Sequence, residues 1–152
     1  MKTIDERLAA LEAIEEIRKL KARYAAACDD NYNADAIAAL FVEDAVWDGG
    51  ALGKAEGREA IRKFFRGAPK IFPFAIHNVL NPIIDVDGDR ATAQWNLLRP
   101  ATMAKGNQAV WLAATYHDEY VCVGGEWKFR RLSVTPRFLT TYEEGWARKP
   151  FV

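Results

Sequence analysis

The sequence predicts an α+β fold: three N-terminal helices and a mostly antiparallel sheet, which would enclose a pocket if the sheet curves around the long first helix. Three observations carry this. Apolar residues recur at steps of three or four through residues 5–28, the period of an amphipathic helix. The second half changes to extended segments punctuated by Asp87-Gly88 and Gly124-Gly125, both hairpin turn signals. Helices precede strands instead of alternating with them, which is the α+β order.

Residues 5–28 read as one long helix whose stripe is Leu8, Leu11, Ile14, Ile17, Leu20, Tyr24 and Ala27. Glu12, Glu15, Glu16, Lys19 and Lys21 fall off that stripe and suit a solvated face. Asp29-Asp30-Asn31 stops the helix, because short polar side chains compete for backbone hydrogen bonds. A second helix is expected over 34–42 with Asn33 as its N-cap, then a strand over 45–48 ending at Gly49-Gly50. Residues 57–65 read as a third helix. Residues 71–86 read as extended and 90–99 as the strand that pairs back on them. A loop at 103–106 leads to strands over 108–122 and 126–139, and the tail 142–152 is weakly specified.

Composition narrows the function classes. The 152 residues fit one domain, 1–152, with half of them hydrophobic, which is enough to fill a core. Lys plus Arg and Asp plus Glu number 21 each, so a formally neutral chain offers no electrostatic footprint for nucleic acid or an anionic membrane. It also repels copies of itself weakly. Cys28 and Cys122 form neither a disulfide framework nor a CxxC metal pair. The charged, amphipathic start is unlike a signal peptide, and a cytoplasmic protein is the default expectation. No glycine-rich phosphate loop is present, and no cofactor or metal is expected.

One of two histidines, His77, lies inside the apolar run Phe72-Pro73-Phe74-Ala75-Ile76-His77-Asn78-Val79-Leu80. Imidazole titrates near neutrality, so this residue is either a satisfied core group or a base. Partners elsewhere in the chain decide between the two. His117 lies in Tyr116-His117-Asp118-Glu119-Tyr120, but adjacent strand residues face opposite ways, which argues against a shared metal. Cys28 reads as a small buried hydrophobe.

The order of a helix ending in aspartate, a short helix, Asp44-Ala45-Val46-Trp47, Gly57-Arg58-Glu59-Ala60-Ile61, Ile76-His77-Asn78 and Trp127-Lys128-Phe129 resembles the SnoaL-like family of the nuclear-transport-factor-2-like cone fold. Within it the likeness is to hexachlorocyclohexane dehydrochlorinase, scytalone dehydratase and bile-acid dehydratase. Gly106-Asn107-Gln108, Leu112-Ala113-Ala114, Tyr116 and Glu119-Tyr120 strengthen it. The resemblance implies three N-terminal helices packed on a strongly curved, mostly antiparallel sheet forming a cone with a central apolar pocket, and a cofactor-independent lyase. It implies His77 as base, Asp29 as the residue that orients it, and Tyr24 as a third member. Asp30 is the rival of Asp29 for the dyad, because a sequence fixes a helix end only to within a residue or two. It matches Trp47 to a tryptophan near the pocket.

The chemistry holds on its own terms: a carboxylate fixes the imidazole tautomer and stabilises the imidazolium formed on proton transfer. If Leu97 points inward, alternation brings Trp95 and Arg99 inward as well, where Arg99 meets an anion or otherwise sits on the rim. The expected substrate is a hydrophobic cyclic or aromatic small molecule lined by Trp47, Phe72, Trp95, Leu97, Leu112, Ala114 and Leu132. The family implies dehydration, dehydrohalogenation or retro-aldol cleavage. A ketosteroid-type isomerase and a non-catalytic ligand-binding domain are the alternatives. A homo-oligomer, trimer or dimer, is expected.

Overall fold

A computed structural model describes all 152 residues. Helix α1 spans Ile4–Asp29 and opens with a capping box, in which the Thr3 hydroxyl accepts from the Glu6 N–H and the Glu6 carboxylate accepts from the Thr3 N–H. Helix α2 (Ala34–Ala38) is capped by Asn33, whose side chain accepts from the Ala36 N–H. Strand β1 (Phe41–Asp48) and short β2 (Lys54–Glu56) lead to α3 (Arg58–Gly67). Then follow β3 (Phe74–Ala75), β4 (Asn78–Asp87), β5 (Arg90–Met103), β6 (Gln108–Val123), β7 (Glu126–Thr141) and a terminal turn of helix, α4 (Gly145–Arg148).

The seven strands form one mixed sheet in the order β2-β1-β7-β6-β5, with β3 and β4 both pairing with β5 on its far edge. Only β1 and β7 run parallel. Register shifts interrupt the ladders at Leu80/Ile83, Ala113/Ala114 and Glu119/Tyr120. Such bulges bend strands and increase twist, so the sheet curves around the helices. No helix is long and apolar enough to cross a membrane.

Several boundaries differ from the sequence reading. The second helix ends at Ala38 instead of 42, because Phe41 already belongs to β1 and packs in the core. The run around His77 is not one continuous strand, since Ile76 and His77 fall in a gap between β3 and β4. On α1 the buried residues are Ala13, Ile17, Leu20, Lys21, Tyr24, Ala25 and Cys28, while Leu8 and Leu11 at the N-terminal end of the expected stripe are exposed.

Lys21 is the main correction to that helix. It was expected in solvent and is 1% exposed, with Nζ 2.7 Å from Asp118 Oδ2 on β6. The ammonium also lies 3.3 Å above the Tyr116 ring centroid. Tyr120 donates its hydroxyl hydrogen to the same Asp118 oxygen at 2.8 Å, and Trp95 Nε1 donates to the Tyr120 hydroxyl at 3.1 Å. Burial pushes Lys21 down and Asp118 up, and each charge opposes the shift of the other.

Breaking one partner of a buried pair leaves an uncompensated charge, whereas replacing both with apolar groups removes the desolvation penalty as well. Lys21→Met alone should therefore lose about 3–5 kcal/mol in urea unfolding. Lys21→Met with Asp118→Leu should recover most of that loss.

Candidate active site

Asp29 is the last residue of α1, and its neighbours steer the chain back over the sheet. Asn31 (φ 50°) and Tyr32 (φ 49°) both take the left-handed conformation, closed by N–H donation from Tyr32 to the Cys28 carbonyl and from Asn33 to the Ala27 carbonyl. For a tyrosine this conformation costs about 1–2 kcal/mol. It turns the Tyr32 ring under the structure, where it is 6% exposed and stacks on Phe65. Asp30 is the C-cap, accepts from Asn33 Nδ2 at 2.9 Å in solvent, and makes no contact with His77.

The gap between β3 and β4 presents His77 to Asp29. The Ile76 N–H donates to the Pro100 carbonyl, so the next N–H along, that of His77, points away from β5 and donates to Asp29 Oδ1, at 2.8 Å. The ring Nδ1 lies 2.8 Å from that same oxygen. A carboxylate only accepts, so Nδ1 carries the hydrogen and Nε2 keeps its lone pair. The His77 side chain is 5% exposed and the Asp29 side chain 32%, so the imidazole faces inward while the carboxylate touches solvent. Burial lowers the proton affinity of His77; the Asp29 hydrogen bond raises it; the Arg99 charge lowers it again; and the net is downward. The imidazole is thus neutral at physiological pH, the form that accepts a proton.

The ladders on either side of the gap pair Ala75 with Ala101 and Asn78 with Leu98. That register sets His77 across from Arg99. Arg99 is 5% exposed, its guanidinium carbon sits 4.2 Å above the Phe72 ring, and Nη1 donates to the Tyr32 hydroxyl at a long 3.4 Å. Nε and Nη2 have no partner.

A cavity of ≈ 440 Å³ opens between the helices and the concave face of the sheet. His77 and Arg99 line it with Tyr24, Tyr32 and Tyr116, and its other walls are apolar apart from Gly67. No Asp or Glu lines it. Tyr24 is fully inside, and its hydroxyl accepts from Trp47 Nε1 at 3.0 Å. The Trp47 indole lies over Gly49, where a Cβ would come within 2.5 Å of the ring, so only glycine admits it. Burial raises the Tyr24 and Tyr116 phenols well above their ordinary values and lifts Tyr32 to about 12, so all three keep the O–H hydrogen. Burial also pushes the Cys28 thiol up to about 12.

Of the residues singled out in the sequence, Tyr24, His77, Arg99, Trp47, Phe72, Leu97 and Leu112 line this cavity. Trp95, Ala114 and Leu132 do not. Trp95 is turned to the Tyr120–Asp118 network, Leu132 is wholly buried beside Trp47 in the ladder, and the Ala114 methyl is short beside its larger neighbours Leu112 and Tyr116. His117 is exposed and Asp118 buried, on opposite faces of β6. Sequence reasoning missed Tyr32 and Phe65, as well as the wall formed by Phe64, Ala68, Ile71, Met103 and Leu139. Only Asn31, a residue tolerant of left-handed geometry, hinted at the turn that inserts Tyr32.

Residues 9–133 match the model of the SnoaL-like domain. Among curated proteins no sequence matches the chain. A crystal structure of a type 2 hexachlorocyclohexane dehydrochlorinase superposes with a TM-score of 0.81 at 23% identity, covering 86% of this chain and 89% of that one. A scytalone dehydratase-like protein from Novosphingobium aromaticivorans gives 0.79 at 29% identity, over 87% and 89%. A protein from the same organism described as an aromatic ring hydroxylase gives 0.75 at 26%, over 93% and 96%.

Asp29→Asn keeps an acceptor oxygen but removes the carboxylate charge that raises the proton affinity of His77, so the His77 pKa should fall further, as read by an NMR titration of the imidazole carbon protons. The sign for stability follows from the wild-type shift. A depressed histidine contributes fully above about pH 6.5, and the contribution is lost as pH falls through the folded-state value.

Proposed function

We propose that this chain, which belongs to the SnoaL-like family, is a cofactor-independent lyase acting on a hydrophobic cyclic or aromatic small molecule. The observation that carries this reading is the clamp of one Asp29 oxygen on both the backbone N–H and Nδ1 of His77, at the wall of an apolar cavity without a carboxylate. In that setting Nε2 of His77 is the group able to take a proton from carbon near neutral pH. The C–H electron pair becomes the new π bond, and the leaving group departs with its own bonding pair. Asp29 holds the tautomer and offsets the charge of the imidazolium. For a departing hydroxyl, the imidazolium returns the proton, and the Tyr24 O–H donates a hydrogen bond to the leaving oxygen. Arg99 meets the oxygen functions of the substrate.

Dehydration is the first choice among eliminations, and dehydrohalogenation or retro-aldol cleavage uses the same base. The lyase names of the dehydrochlorinase and the scytalone dehydratase-like protein support the class. A ketosteroid-type isomerase needs a carboxylate base in the cavity, and no Asp or Glu lines it.

Screening cyclic and aryl β-hydroxy and β-halo compounds for the ultraviolet absorbance of a new conjugated alkene should identify a substrate. His77→Ala should then reduce turnover by about 10²–10⁴-fold, the usual range for a positioned acid–base group, with an unchanged circular dichroism spectrum. Full activity in that variant would sink the mechanism, and ligand bound but never converted would leave a binding domain.

Self-association, with a trimer favoured over a dimer, belongs to the same proposal. Phe74, Ile76, Leu80, Ile83 and Leu98 are exposed apolar residues on β3, β4, β5 and the gap between β3 and β4. Sedimentation equilibrium should show more than one subunit, and a monomer at micromolar concentration would count against it.

A further inference from the structure

The interior holds two cations and treats them differently. Lys21 is neutralised by Asp118 on the far side of Tyr116. Arg99 is equally enclosed, yet no carboxylate of the protein reaches it. Phe72 covers a face of the guanidinium, and the long contact with Tyr32 uses Nη1. The two donors without a partner, Nε and Nη2, are adjacent on one edge of the planar group. Their parallel N–H bonds form the fork that accepts the two oxygens of a carboxylate.

We propose that Arg99, which lines the cavity, binds a carboxylate of the substrate when its guanidinium turns this closed edge toward the cavity, so that the cavity takes an aryl or alicyclic carboxylic acid. This assignment rests on reading the cavity as the substrate site but not on the elimination step. A buried charge without a counter-ion is costly, and a neutral occupant would leave that cost in place. Arg99 is the one cation lining the cavity, so a monoanion balances it and a dianion such as a phosphate monoester overshoots. The apolar walls then take the hydrocarbon body. With His77 across the register from Arg99, the acid group is held at the side of the cavity where the base stands.

The probes are 2-naphthoate and its uncharged isostere 2-naphthamide, compared by isothermal titration calorimetry on the full chain. Losing one member of a buried charge pair costs enough to predict that wild type prefers the acid by at least about 30-fold. Arg99→Met should abolish the preference, and it should fold, since it exchanges an unpaired buried charge for an apolar side chain. Arg99→Lys keeps the charge without the fork and should retain only part of the preference.

His77→Ala should retain all of it, which separates this inference from the lyase reading: loss of turnover there leaves the binding preference intact. Equal affinity for acid and amide, no saturable binding of either, or a preference that survives Arg99→Met would overturn the proposal. Full preference in Arg99→Lys would overturn the bidentate contact.

Discussion

The site depends on where α1 lies along its own axis, and the buried Lys21–Asp118 pair holds that position. Lys21, Tyr24 and Cys28 are spaced three and four apart and share the face of α1 that meets the sheet. Once Lys21 is tied to β6, Asp29 follows eight residues on, about 12 Å further along the helix. That distance carries it to the gap between β3 and β4. A shift of one residue would rotate Asp29 by about 100° and put the bulk of another side chain against His77. The ion pair gives little net stability compared with an apolar replacement, so its consequence is register more than energy.

The free edge of β3 and β4 is the complementary constraint. The Ile76 N–H is used by the Pro100 carbonyl, so the alternation of an antiparallel ladder turns the His77 N–H outward from β5. Asp29 takes both that hydrogen and the one on Nδ1 with a single oxygen. The imidazole is therefore fixed through its backbone as well as its ring. Tyr32 closes the arrangement from the other side, its ring edge-on to His77 with centroids 5.8 Å apart and its hydroxyl next to Arg99. The left-handed turn that puts it there is strain stored where two polar groups converge on the cavity.

The sequence was most informative where the determinants are local. The 3.6-residue period marks α1, and Asp87-Gly88 and Gly124-Gly125 mark the hairpins. Alternation on β5 correctly sets Trp95, Leu97 and Arg99 on one buried face. It could not say how far along the strand the cavity extends, so Trp95 falls instead under the Lys21–Asp118 network. Lys21 itself looked solvated because its partner is 97 positions away, and nothing near it in the chain announces a counter-charge. Phe41 looked helical because α2 and β1 abut with almost no turn signal between them. The proximity of Asp29 and His77 was legible only through resemblance; no spacing rule joins a helix end to an edge strand 48 residues later. Tyr32 needed the backbone angles of its own turn.

The unpaired guanidinium also bears on the proton affinity of His77. Burial and the Arg99 charge both hold the imidazole neutral, while the Asp29 hydrogen bond works against them. Burial and that charge keep the imidazole unprotonated and make the imidazolium harder to form. An anion seated on Arg99 cancels the field of the guanidinium and leaves Asp29 as the nearest uncompensated charge. The proton affinity of His77 then rises at the moment a substrate is in place. A neutral ligand produces no such rise, since it leaves the guanidinium charge standing. Under the proposed function, selection of an acid and activation of the base both follow from one buried, partnerless side chain.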